Sequence, residues 1–140
     1  MYEFGAQQEI EGEVEQLWAV WTDLPRFPEW DPREQETRPA GPFAEGTTVW
    51  SKQKGNPGGE STITRVEAPR RWTAESPLPA GKLVIDHELQ PAAAGRVLAR
   101  KHYEVHGPLS IVFRLWYGPR VRRALAASFT ALEHEAARRG

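Results

Sequence analysis

The stretch EVEQLWAVWTDLPRFPEWDP, residues 13–32, changes the hydrophobic period of the chain and decides the kind of fold to expect. Residues 2–11 before it alternate loosely between apolar and polar side chains, which is typical of a half-buried strand. Four apolar residues inside the stretch then share one helical face: Val14, Leu17, Trp18 and Trp21. Asp23 and Pro25 suit a second short helical turn, which Asp23 can cap and which Pro28 should end.

After this stretch the chain is dominated by short strand-like runs separated by turns rich in Gly, Pro and Ala. These runs predict strands at 34–38, 46–54, 60–68, 71–76, 82–90 and 96–105. Helical spacing returns near the C-terminus, with apolar residues spaced along 121–136. Gly118 and Pro119 should kink or break that helix and split off an aromatic first part, 110–117.

This order of elements predicts an α+β fold, in which a curved antiparallel sheet of six to seven strands wraps around a long C-terminal helix. Two short helices follow the first strand. A twisted sheet of that size curls, and one helix rarely fills the space that the curl encloses. The sequence therefore predicts a pocket between the sheet and the helix.

The composition is that of an ordinary soluble globular protein, with 39% hydrophobic and 26% charged residues. We expect one domain over residues 1–140, because that length can bury a single sizeable core. No apolar run approaches the roughly 20 residues of a transmembrane helix, and the acidic N-terminus lacks the pattern of a secretory signal. A cytoplasmic location is then the default expectation.

Several kinds of site are not expected. A net charge of −1 argues against nucleic-acid binding. The absence of cysteine excludes disulfides and thiolate metal sites, and the four histidines are too far apart to suggest a metal site. No motif of a known catalytic or phosphate-binding site is present. We expect neither a metal nor a cofactor.

Charge is distributed unevenly along the chain. Residues 1–36 contain ten acidic residues and two arginines, whereas residues 107–140 contain six arginines and two glutamates. One interpretation is that the two ends attract each other across the folded domain. The other is a basic surface for an anionic partner or a lipid headgroup.

Four short motifs resemble a known family. They are AVWTDLPRFPEWDP at 19–32, GPFAEGTTV at 41–49, VEAPRRW at 66–72 and HGPL at 106–109. In this order and spacing they resemble the START-like helix-grip superfamily, also called SRPBCC. The resemblance is greatest to the branch named for polyketide cyclase/dehydrase and lipid transport, and it covers nearly the whole chain. Such a fold hosts lipid carriers, receptors and cyclases, so the resemblance indicates a fold more than an activity.

The resemblance also implies a location for the aromatic residues. In this superfamily the short helices, the following loop and the start of the long helix close over an elongated cavity. Trp21, Phe27, Trp30 and Phe43 would then form its wall and lid. The alternative is that these rings simply plug the end of the barrel.

His87 is the most conspicuous single candidate for chemistry. Strand parity places it with Leu83, Ile85 and Leu89 on the face that we expect to point inward. A neutral imidazole there could bind a ligand carbonyl or act as a general base. The alternatives are a core histidine bonded to a backbone carbonyl, or an error of parity that leaves it in water. We expect His87→Ala to weaken binding more than it lowers the melting temperature.

The strand at 96–105 has two faces of mixed character, and both remain open. The more apolar face should line the cavity, with Tyr103 as a polar anchor and Lys101 near the mouth, where its ammonium can reach water. That face comprises Val97, Ala99, Lys101, Tyr103 and Val105. On the opposite assignment, Arg100, His102 and Glu104 would line the pocket as a polar triad.

Other candidate ligand-binding residues come from the third strand and the last helix. Trp50 is a plausible cavity wall, with core packing as the equal alternative. Five apolar or aromatic residues at the start of the last helix are too many for a solvated face: Ile111, Phe113, Leu115, Trp116 and Tyr117. Several should reach the cavity, among them Phe113 and Trp116, or else form a dimer interface or pack on the sheet. Together with Trp116 and Tyr117, the arginines Arg120, Arg122 and Arg123 could contact an anionic membrane, although such a run is often only a solvated face.

Three functions remain open on the sequence. The first is a binding module that holds a small hydrophobic or aromatic molecule or a lipid. The second is an enzyme of the polyketide cyclase/dehydrase type, promoting aldol cyclisation or dehydration, in which His87 or Tyr103 moves a proton. The third is an interaction or stress-related domain whose cavity is incidental. Few inward polar groups are expected, which favours binding.

Overall fold

The seven predicted strands form one antiparallel sheet in the order β1-β7-β6-β5-β4-β3-β2 in a computed structural model that describes residues 1–140. The strands are β1 (Tyr2–Glu11), β2 (Glu34–Pro39), β3 (Thr48–Gln53), β4 (Gly59–Glu67), β5 (Arg71–Leu78), β6 (Gly81–Pro91) and β7 (Arg96–His106). From β2 to β7 each strand pairs with its neighbour in the chain, and β1 joins the far side of β7. The curled sheet confirms the predicted α+β fold.

Helices lie between β1 and β2 and at the C-terminus. They are α1 (Val14–Trp21), a 3-10 turn (Leu24–Arg26), α2 (Phe27–Trp30), α3 (Ser110–Val112), a π-helical turn (Phe113–Tyr117) and α4 (Gly118–Arg139). Two details of the prediction are wrong. Pro28 does not end the helical segment but lies in the first turn of α2, where a backbone N–H would have no partner. Asp23 does not cap the 3-10 turn, because its carboxylate pairs with Arg139 at 2.9 Å.

The aromatic first part of the last helix is set off from the regular second part as predicted, but by a π-helical turn that ends before Gly118 and not by a break in the helix. The last helix runs on without interruption from α3 through the π-helical turn into α4. A proline ring clashes with the carbonyl four residues earlier in a regular helix, and the wider π-helical turn lies directly before Pro119. Gly118 allows close packing here, since a Cβ on it would lie 3.0 Å from the Tyr2 ring.

One end of the curled sheet is filled. There α1 lies between the sheet and α4, and its Leu17 and Val20 are almost completely buried. Residues from four other elements belong to the same core cluster: Ile10, Leu89, Val97, Leu125 and Leu132. Burying a large aliphatic side chain contributes about 1.5–3 kcal/mol, so this end of the fold supplies much of its stability.

The opposite end of the sheet has no counterpart to α1. The turns after β3 and β5 reach this end, and only α3 and the π-helical turn lie across it. Phe113 is buried there, but one buried ring cannot occupy the space that α1 and α4 fill at the other end. The predicted pocket therefore lies at this end of the sheet.

The polar termini of the chain are partly paired with each other. Arg139 bonds to Asp23, and the backbone N–H of Glu11 donates to Glu133 at 2.6 Å. Four other arginines of the last helix form no ion pair: Arg114, Arg120, Arg122 and Arg123. Both interpretations of the charge asymmetry thus have a structural counterpart, attraction at one end of α4 and a free basic surface at the other. No helix is both long enough and apolar enough to span a membrane.

Candidate functional site

A cavity of about 680 Å³ lies at the hollow end of the sheet. Its apolar wall comes from β5, β6 and the start of the last helix: Leu78, Leu83, Ile85, Leu109, Val112, Phe113 and Trp116. A smaller void of about 70 Å³ continues inward from it, sharing Ile85 and Lys101 with the main cavity. Volumes of this order suit a drug-sized or lipid-sized guest.

Four of the predicted binding residues line this cavity: Ile85, Tyr103, Phe113 and Trp116. Tyr103 stacks on Phe4, with ring centroids 4.6 Å apart and planes 10° from parallel. This stacking fixes the ring so that its hydroxyl end is held against the cavity. The structure thus brings together candidates from β6, β7 and the last helix.

The remaining predicted aromatic residues lie outside the main cavity. Trp21 and Trp30 pack in the core, and Trp30 lies against Phe27, which borders the inner void. Phe43 packs on Trp72 with ring centroids 5.3 Å apart. Trp50 lies on the outer face of β3, where the guanidinium of Arg38 covers its ring at 4.6 Å. Trp21, Phe27, Trp30 and Phe43 thus correspond to the alternative in which the rings close one end of the barrel. Both expectations for Trp50 are wrong, because its strand position turns it to the outer face, away from the cavity wall and from the core.

His87 faces inward as predicted, but it borders the inner void and not the main cavity. Its ring is 3% exposed, and it lies between Trp72 and the edge of Trp21. Nδ1 lies 3.2 Å from the carbonyl oxygen of Trp72. Burial, together with the positive charge of Lys101, holds the pKa of His87 well below its ordinary value. The imidazole is therefore neutral near pH 7 and already engaged with the backbone.

The inward face of β7 is the more apolar face, as predicted. Its five residues are all buried: Val97, Ala99, Lys101, Tyr103 and Val105. The alternative polar triad is wrong, because Arg100, His102 and Glu104 alternate to the outer face, where His102 contacts Glu3 at 3.1 Å. The position expected for Lys101 is also wrong. Its side chain is 8% exposed and reaches the inner void, so it does not lie at the mouth.

The sequence analysis predicted none of the polar residues that lie on the inner wall opposite Lys101, namely Glu34, Thr37 and Gln53. Glu34 is buried, and its two carboxylate oxygens accept hydrogen bonds from Thr37 at 2.9 Å and Gln53 at 2.8 Å. Burial raises the pKa of Glu34, although these bonds and Lys101 oppose the rise. A β-bulge between Glu34 and Glu36 turns both Glu34 and Thr37 inward, and simple alternation along the strand cannot reveal it.

Arg33 places a second cation in the lining of the cavity. Burial alone would lower the pKa of its guanidinium, but the nearby hydroxyls of Tyr103 and Tyr117 and the carboxylate of Asp31 raise it. Asp31 is itself buried and accepts a hydrogen bond from Ser128 at 2.9 Å. Arg33 lies three residues after the end of α2, so the short helices help to position a charge at the cavity without lining it themselves.

The mouth of the cavity is bridged by one side-chain contact. Asn56, in the turn between β3 and β4, is hydrogen-bonded through its amide to the hydroxyl of Tyr117 in the π-helical turn. A groove of about 340 Å³ continues outside this bridge along α4, bordered by Trp116 and Arg120. The bridge thus joins the β3–β4 turn to the last helix, both of which line the cavity.

The helix beside the mouth exposes several apolar side chains. Ile111, Val112, Leu115 and Trp116 are 65%, 44%, 76% and 53% exposed. The guanidinium of Arg120 lies over the ring of Trp116 at 5.1 Å. The surface around the entrance is therefore both apolar and basic.

On the outer face of β1 and β7, the ligand atoms of Glu3, His102 and Glu104 lie within 4.8 Å of one another. Glu3 is exposed there, and the other two residues are partly exposed. This cluster is remote from the cavity and takes no part in the site.

The family model described as polyketide cyclase/dehydrase and lipid transport matches residues 1–137. Solved structures with the same fold include a START superfamily protein from Mycobacterium smegmatis, which is 13% identical, with a TM-score of 0.72 and full coverage of both chains. A hypothetical protein from Helicobacter pylori is 8% identical, with a TM-score of 0.80 over 96% of this chain and 88% of that one.

Norcoclaurine synthase from Thalictrum flavum, in complex with dopamine and hydroxybenzaldehyde, is also similar. It is 16% identical, with a TM-score of 0.69 over 95% of this chain and 87% of that one. Identities this low indicate a shared fold alone. No curated protein matches by sequence.

Proposed function

The chain belongs to the polyketide cyclase/dehydrase and lipid transport family, and on that premise we propose that it binds a small hydrophobic or aromatic molecule, or a lipid, in the cavity. The observation that carries the proposal is the cavity of about 680 Å³ with an apolar wall and a bridged mouth. A side-chain-filled interior would instead have favoured a domain whose cavity is incidental. The cytoplasmic location stays a prediction.

Binding of a neutral fluorescent probe tests this proposal directly. N-Phenyl-1-naphthylamine should bind with one saturable site and a large gain in fluorescence. Native mass spectrometry of protein purified from its own host should then show an adduct, whose mass gives the class of the natural ligand. A protein that neither binds the probe nor carries an adduct would contradict the proposal.

A second candidate function is an enzyme that promotes aldol cyclisation or dehydration. The observation in its favour is that Glu34, Lys101 and Tyr103 all line the cavity, which is more inward polarity than we expected. The family description, which includes polyketide cyclases and dehydrases, supports the same idea. In this function Tyr103 or Glu34 would move the proton, since the imidazole of His87 is engaged elsewhere.

Turnover distinguishes the two functions. The ligand found by native mass spectrometry would be incubated with the protein. The products would then be separated by chromatography and their molecular masses measured. A product that has lost one water, or a cyclised isomer of unchanged mass that separates from the ligand, would identify an enzyme if Glu34→Gln or Tyr103→Phe abolished its formation. Unchanged recovery of the ligand would leave binding alone.

We further propose that the apolar and basic surface at the mouth contacts an anionic membrane transiently while a ligand enters or leaves. Arg120, Arg122 and Arg123 would lie near the headgroups, with Trp116 and Tyr117 at the boundary with the acyl chains. The alternative for the same surface is a homodimer interface. Analytical sedimentation of the protein at micromolar concentration without lipid distinguishes the homodimer from the membrane contact, because only a dimer forms in the absence of lipid.

A further inference from the structure

Lys101 is a buried cation without a hydrogen-bonding partner in the protein. Its side chain is 8% exposed and lines both the main cavity and the inner void. None of the ion pairs and side-chain hydrogen bonds of the protein includes its Nζ atom, and no carboxylate oxygen lies within 4.0 Å of it. Its nearest described partner is the ring of Tyr103, at 5.6 Å from Nζ to the centroid.

The carboxylate of Glu34 and Nδ1 of His87, which are near Lys101, are already engaged. Both oxygens of Glu34 accept hydrogen bonds from other side chains, Thr37 and Gln53. Nδ1 of His87 is in contact with the carbonyl oxygen of Trp72. Nζ keeps contact with the open space of the cavity, and an acceptor on a bound ligand could form a charge-assisted hydrogen bond with it there.

A second cation strengthens the case for an anion. Arg33 lines the same cavity, and its guanidinium lies against the hydroxyl of Tyr103. Of the two acids in the lining, Glu60 is exposed, and Glu34 lies among its own hydrogen-bond donors. The polar end of the cavity therefore offers donors and positive charge, while the walls at Leu83 and Phe113 are apolar.

We propose that the cavity takes an amphipathic carboxylate, such as a fatty or aromatic acid, whose carboxylate accepts a hydrogen bond from Nζ of Lys101. The apolar body of the ligand lies along the walls formed by Leu83, Ile85 and Phe113. Arg33 and Tyr103 add donors to the same end of the cavity. This inference rests on the proposed function and specifies the class of its ligand.

Competition against the neutral probe tests the inference. Decanoate and decanol have the same chain and differ in the head group, and each would displace N-phenyl-1-naphthylamine from the wild-type protein. Decanoate should compete about tenfold more strongly, because a charge-assisted hydrogen bond to a buried lysine is made only by the acid. Lys101→Met should remove this preference and leave probe binding within about twofold.

Lys82→Met is the matched control. Lys82 is on the neighbouring strand and pairs with Glu75 at the surface, so its loss should leave the preference for decanoate unchanged. If Lys101→Met does not fold, Lys101→Gln keeps a polar group of similar length and should still lose most of the preference.

The possible results of this competition experiment distinguish the carboxylate inference from the proposed function of ligand binding. Probe binding without any preference for decanoate in the wild type would overturn the carboxylate inference and leave ligand binding in place. A preference that survives in Lys101→Met or Lys101→Gln would overturn the carboxylate inference as well. Failure of the probe, of decanoate and of decanol to bind would overturn the proposed function itself.

Discussion

The ring of His87 lies flat against the ring of Trp72, with centroids 3.6 Å apart and planes 2° from parallel. Because Nδ1 also contacts the carbonyl oxygen of Trp72, both the face and one edge of the imidazole are occupied by the same neighbour. The two residues pair across β5 and β6, so this stack ties the middle of the sheet together. His87 thus has the surroundings of a core residue more than those of a free catalytic base.

Replacement of His87 by alanine should therefore reduce stability more than ligand affinity, which reverses the expectation from sequence. Loss of a buried ring leaves a void beside Trp72 and should cost about 2–4 kcal/mol. Urea unfolding measures the stability, and titration with N-phenyl-1-naphthylamine measures the affinity, which should change less than about threefold. His134→Ala, at an exposed position of α4, is the control and should change neither. A large loss of affinity in a stably folded His87→Ala would restore a binding role.

Stability should also fall on mild acidification, because of the same histidine. The unfolded chain binds a proton at His87 with an ordinary pKa near 6.5, whereas burial and Lys101 lower the pKa in the folded state. Below pH 6.5 the unfolded state then binds more protons, and stability falls with pH by up to about 1.4 kcal/mol per unit. The loss continues until the lowered folded-state pKa is reached.

The His87→Gln variant isolates the contribution of His87 to the pH dependence of stability. Glu34 acts in the opposite direction, because a raised pKa gives it a contribution that is lost as pH rises above its ordinary 4.5. Urea unfolding of wild type and His87→Gln between pH 5 and 8 should give curves whose difference varies steeply only below pH 6.5. Parallel curves over the whole range would show that His87 is not the titrating group.

The bridge between Asn56 and Tyr117 should control how fast a guest exchanges. A hydrogen bond of this kind contributes about 1 kcal/mol, so Tyr117→Phe should raise both association and dissociation rates about fivefold, with little change in Kd. Stopped-flow fluorescence with the neutral probe measures both rates. Tyr2→Phe removes a hydroxyl near the same end of the helix that has no such bond, and its rates should match wild type. Unchanged rates in Tyr117→Phe would exclude the bridge as a gate.

A large side chain placed in the cavity should block binding without unfolding the protein. Leu83 lines the cavity and is only partly buried, so Leu83→Trp can extend into empty space and should weaken probe binding more than about tenfold. Leu98→Trp, on the outer face of β7, should bind the probe normally. Equal affinities in the two folded variants would place the probe elsewhere.

The exposed apolar side chains beside the mouth should affect membrane contact and not ligand affinity. The double substitution Ile111→Glu with Leu115→Glu should reduce binding to vesicles of phosphatidylcholine and phosphatidylserine severalfold, since it removes apolar contact and adds negative charge. Neither residue lines the cavity, so probe affinity should persist. Ala126→Glu, exposed on α4, is the control. Vesicle binding that is unaffected by the double substitution would contradict the membrane proposal.

Much of the fold could be predicted because the relevant signals are local. The change from alternation to helical spacing at Val14 located α1, and the turn residues separated the strands that form the sheet. Strand parity placed His87 and Tyr103 inward correctly, because successive side chains of a regular strand must point to opposite faces. The irregularity expected near Gly118 and Pro119 is present as a π-helical turn over Phe113–Tyr117, and the helix continues through it without a break.

The lining of the cavity was less predictable, because it depends on how distant elements meet. Trp21 and Phe43 are aromatic like Phe113, yet they pack away from the main cavity, whereas Phe113 belongs to the core cluster and also lines the cavity. Glu34 reaches the interior only because a bulge interrupts β2. A bulge depends on pairing with the next strand, and the residues of one strand do not specify it.

The sequence by itself determined the order of helices and strands, the α+β fold and the inward faces of β6 and β7, because hydrophobic periodicity and turn chemistry act over a few residues. Only the tertiary structure decided that one end of the sheet is filled by α1 and the other is hollow, with Lys101 left without an acceptor between Glu34 and Tyr103. Those features arise from the curvature of the whole sheet and from contacts between residues far apart in the chain, which no local pattern records.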